Sequence, residues 1–174
     1  MYYIIISTNI DIIVIEQFQK NYGNIYKKVG IMGKIFTIGY EGKTPDEFLK
    51  VLKKAEISMV IDVRENPASR KKGFSKKILS ATLNDNGIQY RHIAELGTPK
   101  KIRIEYQNSG NLERLLEQYR AYLTENPMHI NTLLDAIGNN TACIMCFERL
   151  PTQCHRLVIT EHLYLNHEVA INHL

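Results

Sequence analysis

The stretch ISMVIDV, residues 57–63, is the part of the sequence that decides the fold. Apolar residues fill nearly every position, and an apolar run without alternation is typical of a strand that is covered on both faces. Sheets that are covered on both faces are mostly parallel, and helices join their strands. The polar segment RENPASRKKG follows directly, so the sequence predicts that a loop begins where this strand ends.

Four further segments on either side of this strand are also predicted to be strands. They are KIFTI (34–38), IQYRHI (88–93), TACIMCF (141–147) and EVAIN (168–172). Helical patterns occupy most of the intervals between them. Strands that alternate with helices predict a single compact α/β domain, with a mostly parallel sheet of about five strands flanked by helices.

The helices are predicted from their apolar periodicity and from the residues at their ends. Thr44, Pro45 and Glu47 form a capping box with proline at the first helical position. Ser75 is the predicted cap of a second helix, which runs to about Asn86. Three further segments have helical character: residues 111–124, 128–138 and 154–166.

Residues 1–31 fit this pattern poorly, because they show neither a helical nor a strand period. Met32 directly precedes the first predicted strand. We interpret Met32 as the biological start and residues 1–31 as an incorrectly assigned extension, with a genuine extra strand or arm as the alternative. The mass of the intact native protein distinguishes the two. The predicted domain therefore spans residues 32–174.

Composition favours a protein of the cytoplasm. The cysteine count of three is odd, which excludes a fully paired disulfide framework, and the N-terminus lacks the basic region of a signal peptide. The apolar opening segment is interrupted by Asn9 and Asp11 and is too short for a membrane span. The net charge of +4 is mild. Basic residues cluster at 70–77 and 100–103, either as solvated surface or as the border of an anionic partner.

The loops that follow the predicted strands hold most of the unusual side chains. These loops are GYEGKT, RENPASRKKG, ELGTPKK and ERLPTQ. In an open α/β sheet such loops share one edge, where ligands bind. The side chains that we expect to collect there are Tyr40, Glu41, Arg64, Arg70, His92, Cys146, Glu148, Cys154, His155 and Arg156.

The segment CFERLPTQCHR, residues 146–156, is the densest of these regions, with two thiols, a carboxylate, an imidazole and two guanidinium groups. Cys143, Cys146, Cys154 and His155 offer the donors of a zinc site. However, residues three apart on a strand point to opposite faces, so Cys143 and Cys146 cannot easily share an ion. The sequence therefore predicts no metal site.

Cys154 is the predicted reactive thiol. It lies near the start of the last helix, where the helix dipole and nearby cationic side chains favour a thiolate. Glu148 and His155 are the candidate acid–base groups beside it. The alternatives are a thiol that only packs the helix onto the sheet, and a supporting role for His155. Cys146, at the end of a buried strand, is predicted to belong to the core.

The ligand-binding residues predicted from the sequence are Tyr40, Arg64, Arg70, His92 and Arg156. Arginine grips phosphate through two parallel hydrogen bonds, and a helix N-terminus adds backbone donors. Arg64 and Arg156 are also expected to hold carboxylates at the sheet edge, namely Asp62 and Glu148. His92 is expected to orient its loop. Arg70 has no such structural role, so it is the clearest candidate for contact with a ligand.

Five segments together resemble one known family. FTIGYEGKTPDEFL, VIDVRENPASR, GIQYRHIAELG, CFERLPTQCHR and the closing NHL occur in the order and spacing of the domain of unknown function 488 family. The resemblance covers residues 36–174 and implies a compact cytoplasmic α/β domain with a site at these motifs. It departs from the family pattern at Phe147, where a small residue is usual, and this change puts the size of the pocket in doubt.

We therefore expect an enzyme-like domain whose strand-end cleft binds an anionic ligand, such as a phosphate, a nucleotide or the end of a nucleic acid. The alternatives are a non-catalytic nucleic-acid-binding module and a small cysteine-based redox or stress protein. No resolving cysteine is evident for the redox alternative, and no Trp is present to stack on bases. The motifs specify neither a cofactor nor a reaction.

Overall fold

The computed structural model describes residues 34–167 and 169–174. Within them, five strands form one parallel sheet in the order β3-β2-β4-β1-β5. The strands are β1 (Lys34–Gly39), β2 (Met59–Asp62), β3 (Gln89–His92), β4 (Ala142–Cys146) and β5 (Ala170–His173). The expectations about residues 1–31 and Met32 lie outside the described residues.

In the described part of the chain, six α-helices join these strands and cover both faces of the sheet. They are α1 (Pro45–Lys54), α2 (Lys76–Asp85), α3 (Lys100–Ser109), α4 (Leu112–Glu125), α5 (Pro127–Ile137) and α6 (Arg156–His167). Helices α1 and α2 pack their apolar residues against one face, and α4, α5 and α6 pack against the other. The predicted α/β fold with a parallel five-stranded sheet is confirmed.

The start of α1 illustrates how local sequence sets an element. The Thr44 hydroxyl accepts a hydrogen bond from the Glu47 amide, and the Glu47 carboxylate accepts one from the Thr44 amide. The predicted capping box is therefore confirmed, with Pro45 at the first helical position. Gly87, after the end of α2, adopts the left-handed conformation with φ of 73° that glycine tolerates.

Helix α3 was not predicted, and the start of it lies in the segment ELGTPKK that the sequence analysis assigned to a loop. None of its residues is fully buried, and only Ile102 and Tyr106 pack against the core, so its apolar stripe is narrow. Polar contacts add to this packing: Glu105 accepts hydrogen bonds from Arg114 and Gln118 of α4. A helix held by side-chain pairs of this kind leaves little periodicity in the sequence.

The direction of the connections reverses at the carboxyl ends of β1 and β4. From β1 the chain crosses over α1 to β2, whereas from β4 it crosses over α6 to β5 on the opposite side. Adjacent strands whose connections leave in opposite directions form a topological switch point, where α/β proteins bind ligands. Gly39 and Cys146 are register partners at this edge.

Among the described residues, no helix has both the length and the apolar character that crossing a bilayer requires.

Helix α6 carries a histidine whose protonation should affect stability. Burial, together with the neighbouring His167, lowers the pKa of His162 from 6.5 to about 4. The two rings lie 5.9 Å apart. Because the folded state disfavours the charged imidazole, His162 contributes stability above about pH 6.5, and this contribution is lost as the pH falls towards 4.

We therefore predict that the free energy of unfolding of the His162→Gln variant falls less between pH 7.5 and pH 4.5 than that of the wild type, by about 1–3 kcal/mol. Urea unfolding at both pH values provides the measurement. Equal losses in the two proteins would contradict the assignment.

Candidate functional site

A buried ion pair at the end of β2 forms the framework of the site. Asp62 is fully buried, and its carboxylate accepts hydrogen bonds from Nε and Nη2 of Arg64 at 2.8 and 2.6 Å. The hydroxyl of Tyr90 on β3 donates to the same carboxylate at 2.6 Å. Arg64 also donates to the Tyr40 hydroxyl and to the Phe74 carbonyl. The predicted pairing of Arg64 with Asp62 is confirmed.

In this arrangement the side chains of Arg64 and Tyr40 bind to other residues of the fold. Burial opposes the charge of Arg64, but hydrogen bonds to Asp62 and its negative charge raise the pKa of the guanidinium, so it stays charged. Tyr40 is 3% exposed and its ring stacks on Phe74 with centroids 4.4 Å apart. For both residues, contact with a ligand stays a prediction.

His92 orients the loop after β2, as the sequence analysis expected. Its Nε2–H donates to the carbonyl of Arg64 at 2.8 Å, and its Nδ1 accepts from the Lys76 ammonium at 3.2 Å. The same loop is fastened to the end of β1, because the Lys71 ammonium donates to the Tyr40 carbonyl at 2.9 Å. Contact of His92 with a ligand stays a prediction.

The second part of the site is a cluster of four side chains that lies where β4 ends and α6 begins. Cys146 Sγ and Cys154 Sγ each lie 3.7 Å from Nδ1 of His155. The thiol of Cys146 also donates to Oε2 of Glu148 at 3.0 Å. We call these four residues the thiol cluster. Cys146, Cys154 and His155 are buried, whereas Glu148 is partly exposed.

The His155 ring is fixed from both sides. Its Nε2 lies 3.1 Å from the carbonyl oxygen of Val63, which only accepts hydrogen bonds, so this nitrogen carries a proton. Nδ1 is therefore the atom that faces both sulfurs. The edge of the ring meets Tyr119 of α4, with centroids 5.1 Å apart. Tyr119 thus contributes to the position of His155, a role with no sequence signal because Tyr119 reads as an ordinary core residue.

The environments of the two thiols shift their pKa values in opposite directions. A hydrogen bond from Cys154 and the charge of His155 lower the pKa of Cys146 well below its ordinary value despite burial. Burial and the neighbouring Cys146 raise the pKa of Cys154. Burial opposes the charge of His155, but Cys146 raises its pKa overall. Burial and Cys146 also raise the pKa of Glu148 to about 7.

The positions of both cysteines agree with the sequence. Cys154 lies two residues before α6, in an extended conformation with φ of −138°, and is only 2% exposed. Its role as the reactive thiol stays a prediction. Cys146 belongs to the core as expected, but its Sγ also contacts Glu148 and His155, which the sequence did not predict. The signal that could have found these contacts is the position of Cys146 at the carboxyl end of β4, at the edge where ligands bind.

Cys143 is separate from this cluster, as the alternation of side chains predicted. It is fully buried and packs with the apolar residues beneath α1 and α2, whereas Cys146 packs with those beneath α4 to α6. Burial raises the pKa of Cys143, which favours the neutral thiol. The chain therefore contains a matched cysteine that is outside the site.

The expected pairing of Arg156 with Glu148 is wrong. Nη2 of Arg156 donates to the carbonyl of Arg149 at 2.9 Å. Its Nε and Nη1 are buried without a hydrogen-bond partner among the described residues. The Glu148 carboxylate instead accepts a hydrogen bond from the Cys146 thiol. The ligand role of Arg156 stays a prediction.

Arg70 lies exposed on the loop after β2 and makes no hydrogen bond or ion pair with any residue that the structure describes. Its neighbour Ser69 accepts a hydrogen bond from the Tyr40 hydroxyl at 3.3 Å, which holds this part of the loop over the end of β1. The exposed ring of Phe147 packs edge-on against Tyr40 with centroids 5.3 Å apart. Loop and thiol cluster thus share the carboxyl edge of the sheet.

Comparison with known proteins assigns the chain to a family. The family model described as a domain of unknown function, DUF488, matches residues 44–163, which is more than half of the chain. The chain belongs to the DUF488 family, and the resemblance found in its motifs is confirmed. Neither the search of curated proteins nor the search of solved structures returned a match.

A glycine at the end of β1 allows the segment after β4 to approach closely. A Cβ added to Gly39 would lie 1.8 Å from the carbonyl oxygen of Glu148 and 2.9 Å from the Arg149 Cα. These are backbone atoms, so relief requires movement of the chain segment that carries Glu148. We predict that Gly39→Ala lowers the free energy of unfolding by about 1–3 kcal/mol, measured by urea unfolding.

Gly42→Ala is the matched control for this prediction. Gly42 has φ of +76° with no atom within 4 Å of an added Cβ, so alanine there introduces backbone strain of about 1 kcal/mol without displacing a neighbour. Only Gly39→Ala should also change the reactivity of Cys146 towards a thiol reagent. An unchanged Cys146 reactivity in Gly39→Ala would show that the contact does not position the cluster.

Proposed function

We propose that the chain is an enzyme-like domain whose reaction uses the two thiols of the thiol cluster. The observation that carries the proposal is that Cys146 and Cys154, eight positions apart in the sequence, both contact the single Nδ1 of His155. A buried pair of thiols beside an imidazole and a carboxylate is suited to thiol–disulfide exchange. This proposal joins the expected enzyme-like domain with the cysteine-based alternative.

The reaction follows from the different environments of the sulfurs. The Cys146 thiolate attacks one sulfur of a small disulfide, the S–S bond breaks, and the second sulfur leaves as a thiolate that takes a proton from Glu148. Cys154 transfers its proton to Nδ1 of His155 and attacks Cys146. The bound sulfur leaves as a thiolate that takes this proton from His155, and a Cys146–Cys154 bond forms. Two electrons pass from the dithiol to the disulfide substrate, which becomes two thiols.

Access to the sulfurs runs past Glu148. Cys146 and Cys154 are 4% and 2% exposed, whereas Glu148 is partly exposed and Phe147 and Leu150 on either side are 43% and 48% exposed. The loop that carries these three residues must move for a substrate to enter. The enclosure favours a small substrate over a disulfide that lies within a folded protein.

We propose that the substrate is anionic, because the loop after β2 carries exposed cationic side chains. Arg70 is exposed without a partner among the described residues, and the loop that carries it is anchored at the end of β1. Lys72 and Lys76 are exposed nearby in the chain. Together these cations favour a negatively charged ligand.

We predict that the reduced, metal-free protein forms a Cys146–Cys154 disulfide when it is treated with glutathione disulfide. Peptide mass spectrometry identifies the bond, and the intact mass falls by two hydrogen atoms. Cys154→Ala should stop at a mixed disulfide on Cys146, because no second thiol is available to resolve it.

Cys143→Ala is the matched control and should form the same disulfide as the wild type, since Cys143 lies beneath the opposite face of the sheet. If all three cysteines react only after unfolding, the thiols are core residues and the proposal fails.

We also predict that Arg70→Ala weakens the binding of a nucleoside monophosphate about 3- to 10-fold, because it removes one charge-assisted hydrogen bond. Isothermal titration calorimetry gives the affinity, and thermal unfolding should be unchanged because Arg70 makes no hydrogen bond or ion pair with the described residues. Lys77→Ala is the charge-matched control on the exposed side of α2.

If the Arg70 and Lys77 variants lost the same amount of affinity, the ligand would be attracted by the general positive charge of the surface and not by a contact with Arg70. If a short oligonucleotide also bound with an affinity that fell steeply with salt, the non-catalytic nucleic-acid-binding module would be the better description.

A further inference from the structure

The thiol cluster has a property that disulfide chemistry does not require. One donor atom from each of Cys146, Glu148, Cys154 and His155 can be chosen so that all four lie within 4.8 Å of one another. We propose that these four side chains bind one transition-metal ion, and that Zn²⁺ is the cation that fits them best. No metal site was expected, because Cys143 and Cys146 point to opposite faces of β4; the fold supplies Glu148 as the fourth ligand in place of Cys143.

The two sulfur–nitrogen separations match those in a tetrahedral zinc site. Bonds of about 2.3 Å to sulfur and about 2.0–2.1 Å to nitrogen place a sulfur and a nitrogen about 3.6 Å apart at tetrahedral angles. The two observed distances from Nδ1 of His155, to Cys146 Sγ and Cys154 Sγ, are both 3.7 Å. The Cys146 to Glu148 distance of 3.0 Å needs to open by about half an ångström, and the partly exposed Glu148 side chain is the ligand that would shift.

The hydrogen bond on the far side of His155 prepares the ring for a metal. Histidines that bind metals usually donate their other N–H to a carboxylate or to a backbone carbonyl, which fixes the tautomer. Here Nε2–H donates to the Val63 carbonyl at 3.1 Å, so the lone pair of a neutral ring lies on Nδ1 and points towards both sulfurs. The same contact holds the ring against β2, so little entropy is lost when the metal binds.

The donor types select the metal. Calcium and magnesium require oxygen ligands, whereas two thiolates and an imidazole suit zinc. Two thiolates and a carboxylate would exceed the charge of a divalent cation by one. Arg156 offsets this excess, because its buried guanidinium acts on Cys154 and its backbone N–H donates to Cys154 Sγ at 3.5 Å.

Glu148 gives the site an exchangeable position. Three of the ligands are buried, but the Glu148 side chain is partly exposed. If Glu148 swings away, a water or a substrate atom can take its place, which is the arrangement of catalytic rather than structural zinc sites. The proposal goes beyond the thiol–disulfide function and does not depend on it, because the metal needs only the reduced side chains.

The test uses the full chain, reduced with a phosphine that does not bind metal and freed of metal by dialysis against a chelator. Zn²⁺ is titrated in competition with a chromophoric chelator, and Co²⁺ is titrated while the absorption spectrum is recorded. We expect one Zn²⁺ per chain and a thiolate-to-Co²⁺ charge-transfer band. Cys146→Ala and Cys154→Ala should bind Zn²⁺ about 100-fold more weakly or worse, and Glu148→Gln about 10-fold more weakly.

Cys143→Ala is the matched control and should retain the wild-type affinity and spectrum. Failure of the wild-type protein to bind Zn²⁺ would overturn the proposal, as would binding that the Cys146 and Cys154 variants retain, since the ion would then lie elsewhere. The outcomes distinguish failure of the zinc site from failure of the thiol–disulfide exchange reaction. Zn²⁺ binding without a disulfide in the metal-free protein leaves the metal site and removes the exchange reaction, and the reverse result leaves the exchange reaction alone.

Discussion

The buried ion pair between Asp62 and Arg64 is the interaction on which the organisation of the carboxyl edge depends. Removing two charges from water is costly, and the attraction between them offsets that cost only when the remaining hydrogen-bonding groups are also satisfied. Here Asp62 accepts from Arg64 and Tyr90, and Arg64 donates to Tyr40 and Phe74. The pair thereby connects the ends of β1, β2 and β3 with the loop that enters α2, and rigidity at this edge is a consequence of satisfying two buried charges.

The thiol cluster is attached to this framework through two backbone contacts. The Val63 carbonyl, one residue after β2, accepts from His155, and the Gly39 backbone lies against the segment that carries Glu148. The first contact sets which imidazole nitrogen faces the sulfurs, and the second sets how near the carboxylate comes to Cys146. The reactive groups therefore come from the chain between β4 and α6, but neighbouring strands determine their geometry.

One arrangement of side chains accounts for both proposals. A site that brings two thiols, an imidazole and a carboxylate together favours a thiolate on Cys146, and thiolate is both the nucleophile in disulfide exchange and the ligand of zinc. The two uses exclude each other at any moment, since a metal-bound sulfur is not free to form a disulfide. Metal occupancy would then protect the thiols, and metal release would expose them to a disulfide substrate.

The sequence by itself determined the parallel α/β fold, the capping box of α1 and the edge at which the unusual residues collect, because periodicity and helix-end signals are local. It also predicted the Asp62–Arg64 pair, whose members are two residues apart. It did not predict α3, whose apolar residues are only partly buried, or the contacts of Cys146 with Glu148 and His155, and its pairing of Arg156 with Glu148 was wrong. Those contacts depend on which donors meet across the fold: Val63 and His155 are 92 positions apart. Only the tertiary structure decided that both thiols meet one imidazole nitrogen and that their pKa values shift in opposite directions, because desolvation and contact arise from packing.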